Sequence, residues 1–165
     1  MENITFEPLC REHEKEVMRI FNYYAENSFA AYPEKKLPME FFDRFLEMSE
    51  GYPAYALKFH EKTIGFCFLR AYHPFHVFRE TAEISYFIDE EYTGKGLGKM
   101  ILKKLEEEGK EMGIKTILAS ISSKNSESIA FHLKNGFTGC GRFPGIGKKF
   151  QKAFDVVWMV KKINS

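Results

Sequence analysis

Thr81-Ala82-Glu83-Ile84-Ser85-Tyr86-Phe87-Ile88, followed shortly by Tyr92-Thr93-Gly94-Lys95-Gly96-Leu97-Gly98-Lys99, is the stretch that organises this chain. The first segment, rich in β-branched and aromatic residues, predicts the strongest strand of the sequence. Beyond the glycines, Met100, Ile101, Leu102 and Leu105 recur at helical spacing and predict a helix that ends near Gly109 to Gly113. Between them, Gly94, Gly96 and Gly98 let the backbone come close to a ligand and turn successive N–H groups outward. A helix start leaves its first N–H groups without partners, and its dipole favours an anion there, so a phosphate is the natural occupant. The alternative is a flexible strand-to-helix turn that holds nothing. Two phosphate motifs fail on spacing. Walker A needs Ser or Thr after the lysine, and Lys99 is followed by Met100; the dinucleotide fingerprint needs G-x-G-x-x-G, and this is G-x-G-x-G.

Upstream, Ile4 to Leu9 alternates weakly as a first strand. Val17, Ile20, Phe21 and Tyr24 mark an amphipathic helix from Glu14, and Asn27 to Pro33 reads as a loop. Pro38 opens a second helix with Phe41, Phe42, Phe45 and Leu46 that stops by Gly51. Ala54 to Phe59 and Thr63 to Ala71 form a hairpin, and Tyr72 to Phe78 is a loop with aromatics and two histidines. Downstream, Ile114 to Ile121 is a strand, Ser126 to Lys134 a helix, Phe137 onward a strand, and Ala153 to Lys161 the last strand. The class is α+β (mixed α/β), and residues 1–165 read as a single domain.

Composition excludes several functions. Lys+Arg 24 against Asp+Glu 23 gives +1, which argues against a nucleic-acid partner. No apolar run nears the roughly 20 residues of a membrane span. Met1 to Thr5 has no basic and apolar leader pattern, and Cys10, Cys67 and Cys140 make no CxxC, so a cytoplasmic location with reduced thiols is expected. His73-Pro74-Phe75-His76 carries two histidines across a proline with no Cys or carboxylate beside them, so no metal is expected. With 17 Phe and 8 Tyr, the chain has rings for a generous core or an aromatic-walled pocket.

Gly96-Leu97-Gly98 with its helix resembles the acyl-CoA loop of the GNAT acetyltransferases, [QR]-x-x-G-x-[GA], with Thr93 at the Gln/Arg position. Asn125 with Ser128 to Phe137 looks like the superfamily's N…A-x-x-[LF]-Y-x-x-x-G-F segment, with His132 at the tyrosine position. Ile20 to Tyr24, Thr81-Ala82-Glu83, His132 and Phe154-Asp155-Val156 are similar to the phosphinothricin/methionine sulfoximine N-acetyltransferase branch, over nearly the whole chain. The resemblance implies a central, mostly antiparallel twisted sheet, splayed at the acetyl-CoA site and flanked by helices. It implies transfer of acetyl from acetyl-CoA to the primary amine of a small molecule, an amino acid or analogue, by a homodimer.

Residue roles follow from that resemblance. Glu83 is the expected base, since an ammonium must lose a proton before it attacks; burial among Phe66, Phe68 and Tyr86 would favour its protonated form and raise its basicity. His132 is a candidate acid for the CoA thiolate, with Tyr86 or Tyr92 as alternatives. Tyr86, Phe87 and Ile88 are expected to contact pantetheine through main chain, and Gly94, Lys95, Gly96, Leu97, Gly98 and Lys99 to bind phosphates. Asn125 is expected at the pantetheine, against the simpler role of helix N-cap. Lys103 and Lys104 join Lys95 and Lys99 as candidate phosphate partners. Tyr32, His73, Phe75, Phe78 and Lys149 are expected around the acceptor, with Lys149 in a basic patch that also includes Lys148 and Lys152. His73 stands where the branch holds its substrate's acidic group with arginine, and a neutral imidazole is the weaker partner. Arg70 and Arg79 are nearby but out of that register, so phosphinothricin itself is not the expected acceptor. Two other functions fit the same motifs: a non-catalytic acyl-CoA-binding regulatory domain, and an acetyltransferase of protein N-termini or lysines.

Overall fold

The computed structural model describes residues 2–163; Met1, Asn164 and Ser165, inside the span read as one domain, lie outside the described residues. Among those described, β1 (Ile4–Pro8), β2 (Ala54–Phe59), β3 (Lys62–Ala71), β4 (Thr81–Ile88), β5 (Thr116–Ser122), β6 (Thr138–Lys149) and β7 (Lys152–Lys162) form one sheet. Its order is β1-β2-β3-β4-β5-β7-β6. Every neighbouring pair is antiparallel except β4 and β5. The helices are α1 (Glu14–Asn27), α2 (Phe42–Ser49), α3 (Leu97–Glu111) and α4 (Ser126–Lys134). The expected segments are all present, with ends shifted by a few residues. Pro38 caps a short 3-10 turn that precedes α2, because its fixed φ and missing N–H suit a helix start.

The helices divide between the two faces. On one face, Val17, Ile20, Phe21 and Ala25 of α1 and Phe42 and Phe45 of α2 bury against Phe66 and Phe68 of β3. On the other, Leu97, Ile101, Leu102 and Leu105 of α3 pack on Leu57, Leu69, Ile84 and Ile117. β3 is therefore buried on both sides, which is why its sequence is a continuous apolar run rather than an alternation. Phe42, Phe66 and Phe68 are almost wholly buried, and truncating one to Ala would cost about 3–5 kcal/mol.

One feature of the sheet positions everything else. β4 and β5 pair only at Thr81↔Thr116, Ala82↔Ile117 and Glu83↔Leu118. Past Glu83 the strands part: β4 stays on β3 as far as Ile88, and β5 stays on β7 as far as Ser122. The parallel pair opens into a wedge, and α3 begins just beyond its mouth.

Candidate active site

A cavity of about 650 Å³ runs through the wedge. At one end it is walled by Phe41, Phe45, Met48, Phe68, Arg70 and Glu83; at the other by Thr93, Gly94, Gly96, Leu97, Gly98 and Asn125. Between them it is lined by β4 from Ile84 to Ile88 and β5 from Ala119 to Ser122.

The main-chain groups in the wedge follow from strand alternation. Leu69 N donates to Pro53 O, on the β2 side, so Phe66, Phe68 and Arg70 direct their main-chain groups at β4. Their partners are Phe87, Ser85 and Glu83. Tyr86, which lies between Ser85 and Phe87, and Ile88, the next residue beyond, therefore turn main-chain groups toward the gap. The Tyr24 hydroxyl donates to one of these, the Ile88 carbonyl, and burial pushes its phenol pKa up to about 12. Of the three residues expected to contact a ligand through main chain, Tyr86 and Ile88 face the gap, with the Ile88 carbonyl already accepting from Tyr24. Phe87 spends its main chain on β3 and contributes its ring, which packs on Phe21 and Phe66.

The glycine turn is built for close approach. Gly94 and Gly96 have φ of +73° and +84°, a region that other residues enter only with strain. Gly96 is the N-cap of α3 and supplies no side-chain acceptor, so the first N–H groups of the helix face outward uncapped. A Cβ on Gly98 would sit 2.9 Å from Cζ of Phe131, so its smallness lets α4 close on α3. Leu97 is buried and pins the helix start, while Lys95 and Lys99 are exposed beside it. Lys104, one of the lysines expected at phosphates, pairs with Glu108 at 2.9 Å, leaving Lys95 and Lys99 closer to the helix start. An uncapped helix start with lysines beside it suits the diphosphate of a CoA thioester, and the wedge main chain suits an amide-bearing arm.

Glu83 and His132 are both at the cavity but on opposite faces of the sheet. Glu83 is not walled only by rings, as the sequence suggested: Arg70, its cross-strand partner, donates from Nη2 to Glu83 Oε1 at 3.2 Å, and Tyr86 points to the other face. His132 lies on α4 and is only 3% exposed. Its Nδ1 is 2.7 Å from Ser128 O, and its Nε2 is 3.1 Å from the Tyr86 hydroxyl. Burial lowers its pKa below the ordinary imidazole value, against the opposing pull of the Ser128 carbonyl. Burial also drives the Tyr86 phenol strongly upward. Asn125 is the N-cap of α4, accepting from Ser128 N at 3.3 Å, and it lines the cavity as well.

The acceptor-side expectations divide. Tyr32 lines the cavity, stacked on Phe154 at 5.7 Å with its hydroxyl 3.5 Å from Ser120 Oγ. His73, Phe75 and Phe78 do not line it: they cluster with one another on the β3–β4 loop, and Phe75 is 66% exposed. Phe41 and Phe45 line the cavity instead, and their helical spacing is the same whether they face a core or a cavity. Lys149 is not part of a solvated basic patch. It is 1% exposed, and its Nζ donates to Ser28 O at 2.5 Å and Ala31 O at 2.6 Å. It ties the β6–β7 hairpin to the loop that carries Tyr32. Among the described residues no group of three His, Cys, Asp or Glu side chains is placed to hold a metal ion. No described helix is long and apolar enough to cross a membrane.

A strand pair splayed beside an uncapped, glycine-rich helix start defines a class of acyl-transfer scaffold. The acetyltransferase (GNAT) family model matches residues 17–137, and the chain belongs to that family. It is 30% identical over 148 residues to the L-methionine sulfoximine/L-methionine sulfone acetyltransferase of Pseudomonas aeruginosa, covering 87% of this chain and 85% of that protein. Its fold matches the phosphinothricin acetyltransferase (Pat) of Sinorhizobium meliloti, solved in complex with AcCoA, at TM-score 0.89 and 24% identity, over 97% of this chain and 88% of that one. It matches the ribosomal-protein-alanine N-acetyltransferase of Brucella melitensis at TM-score 0.88 and 27% identity, over 96% and 99%.

Proposed function

We propose that this chain transfers acetyl from acetyl-CoA to the α-amine of an amino acid or analogue. The observation that carries this reading is the cavity through the β4–β5 wedge, which joins the glycine turn to Glu83. The diphosphate binds at the start of α3, with Lys95 and Lys99 beside it, and the pantetheine arm pairs with Tyr86 and Ile88 main chain. The thioester then lies in the gap, reached by the amine from the Glu83 face and leaving its sulfur on the Tyr86–His132 face. Glu83, directly or through water, takes the ammonium proton; the amine nitrogen bonds to the acetyl carbon, the C–S bond breaks, and the second nitrogen proton passes to the departing thiolate, leaving the amide and CoA thiol. A thiolate in that place needs a hydrogen-bond donor. Nδ1 of His132 is committed to Ser128, so the Tyr86 hydroxyl is the donor we assign: it turns its one proton from His132 Nε2 to the sulfur as the thiolate forms.

The relatives that act on amino acid analogues support the acceptor class. The ribosomal-protein-alanine enzyme favours a second reading, a peptide N-terminus. Thiol release from acetyl-CoA, measured over amino acids, methionine sulfoximine, phosphinothricin, polyamines and short peptides, separates the two. Turnover of amino acids by the wild type and its loss in Glu83→Gln is the expected result; turnover of peptides alone would overturn the small-molecule reading. Acetyl-CoA binding without turnover of any amine would point to a regulatory binding domain. We also propose a homodimer, supported by the apolar group Phe75, Val77 and Phe78 that the β3–β4 loop leaves exposed, and checked by sedimentation. A cytoplasmic setting is supported by the free thiols of Cys10, Cys67 and Cys140.

A further inference from the structure

Among the described residues that line the cavity, Arg70 is the only lysine or arginine. Its guanidinium has five N–H donors, and the structure uses them poorly. One Nη2 bond goes to Glu83 at 3.2 Å, and Nη1 is directed at Met48 Sδ, a weak acceptor, at 2.9 Å. Nε is buried with no partner. A buried donor left in that state is costly, and an arginine fork is suited to a second carboxylate. The other basic candidates near this end are elsewhere: Arg79 donates to His76 O at 3.2 Å on the exposed loop, and His73 Nδ1 accepts from Phe75 N.

Resting on the reading of an amino acid acceptor, we propose that Arg70 is the anchor for the acceptor's α-carboxylate, and that binding this carboxylate draws Arg70 off Glu83. An α-amino acid bears an ammonium and a carboxylate on one carbon, and Arg70 and Glu83 present the opposite charges side by side across two paired strands. Laid across that pair, the zwitterion meets each charge with its complement. The ion pair of the free protein is exchanged for two, and the Glu83 carboxylate turns to the ammonium whose proton it takes. The amino acid side chain then lies against Phe41, Phe45, Met48 and Phe68, which favours an apolar one. A simple amine or polyamine leaves Arg70 on Glu83, and a peptide N-terminus has no carboxylate at that distance. The site thus selects zwitterions through the same carboxylate that serves as its base.

The test compares methionine with methioninamide, which has the same amine and side chain but no carboxylate, in wild type, Arg70→Gln and Arg70→Lys. The wild type is expected to favour methionine in kcat/KM by about tenfold or more, mainly through KM. Arg70→Gln is expected to lose that preference, its kcat/KM falling further for methionine than for the amide, and Arg70→Lys to keep part of it. A defect of folding alone lowers both substrates together and leaves the ratio in place. Turnover of both substrates with the same ratio in wild type and in either variant overturns the inference and leaves the acceptor class standing. No turnover of any amino acid by the wild type overturns the acceptor class, and the inference with it. If Arg70→Gln does not fold, the Arg70→Lys ratio decides alone.

Discussion

His132 and Tyr86 are joined by a hydrogen bond whose direction is set by a third group. Nδ1 of His132 lies 2.7 Å from the Ser128 carbonyl, which can only accept, so the ring proton is on Nδ1. Nε2 is then a lone-pair acceptor, and the Tyr86 hydroxyl 3.1 Å away donates to it. In its neutral form, which burial favours by lowering the ring pKa, a histidine held this way has no Nε2 proton to give.

His132 should therefore titrate below the ordinary imidazole pKa of about 6.5. The ring nitrogen shifts in a pH series of NMR spectra would report it, and should show the Nδ1–H tautomer throughout the neutral range. The unfolded chain binds a proton at higher pH than the folded one, so stability from neutral His132 is fully present above the unfolded value. It is lost as pH falls from there through the lowered folded value. A midpoint above the ordinary value would contradict the assignment.

Tyr86→Phe keeps the ring and removes the donor. Turnover should fall by about 10²-fold, the scale seen when one transition-state hydrogen-bond donor is lost, with the KM for acetyl-CoA little changed. Turnover equal to wild type in steady-state thiol release would remove the hydroxyl from the chemistry.

Glu83→Gln preserves shape but cannot accept a proton. We expect kcat to fall by about 10²–10⁴-fold while acetyl-CoA affinity, read by calorimetry, is kept. Since Glu83 and the glycine turn are at opposite ends of the cavity, a joint loss of affinity would mean that the site had collapsed.

Gly96→Ala places a Cβ in open space, so its cost is backbone strain at φ +84° and not a clash. That strain, about 1–2 kcal/mol, is expected to distort the α3 start and weaken acetyl-CoA binding. Gly98→Ala acts differently: its Cβ would sit 2.9 Å from Cζ of Phe131, too close for a normal contact, so the ring or α4 must shift. Equal acetyl-CoA affinity for Gly96→Ala and wild type would dissociate the turn from the cosubstrate.

Lys149→Met leaves the Ser28 and Ala31 carbonyls without their donor. A cost of about 2 kcal/mol, or about 4–8 °C in Tm, is expected in a thermal melt. Because the same loop carries Tyr32, the KM for the acceptor should rise as well. An unchanged Tm would show that water replaces the ammonium at no cost.

The residues left legible in the sequence are those whose signal is local. The strand from Thr81 to Ile88 and the helix from Ser126 to Lys134 were readable to the residue, because alternation, apolar spacing and an Asn-Ser start are written within a few positions. The glycines of the α3 turn were legible through their spacing, whereas Glu83 and His132, which line the cavity, were singled out by the resemblance to the acetyltransferase branch. Tertiary structure decided what depends on partners far along the chain. The wedge after Glu83 exists because β7 holds β5 while β3 holds β4, a register that no local pattern encodes. Arg70 faces Glu83 only through the pairing of β3 with β4, and Lys149 is buried only because the loop from Ser28 to Ala31 folds over it. Phe41 and Phe75 are equally apolar to a reader of sequence. One walls the cavity and the other faces outward, because exposure is settled by which elements close around a side chain, and that is a property of the packed chain.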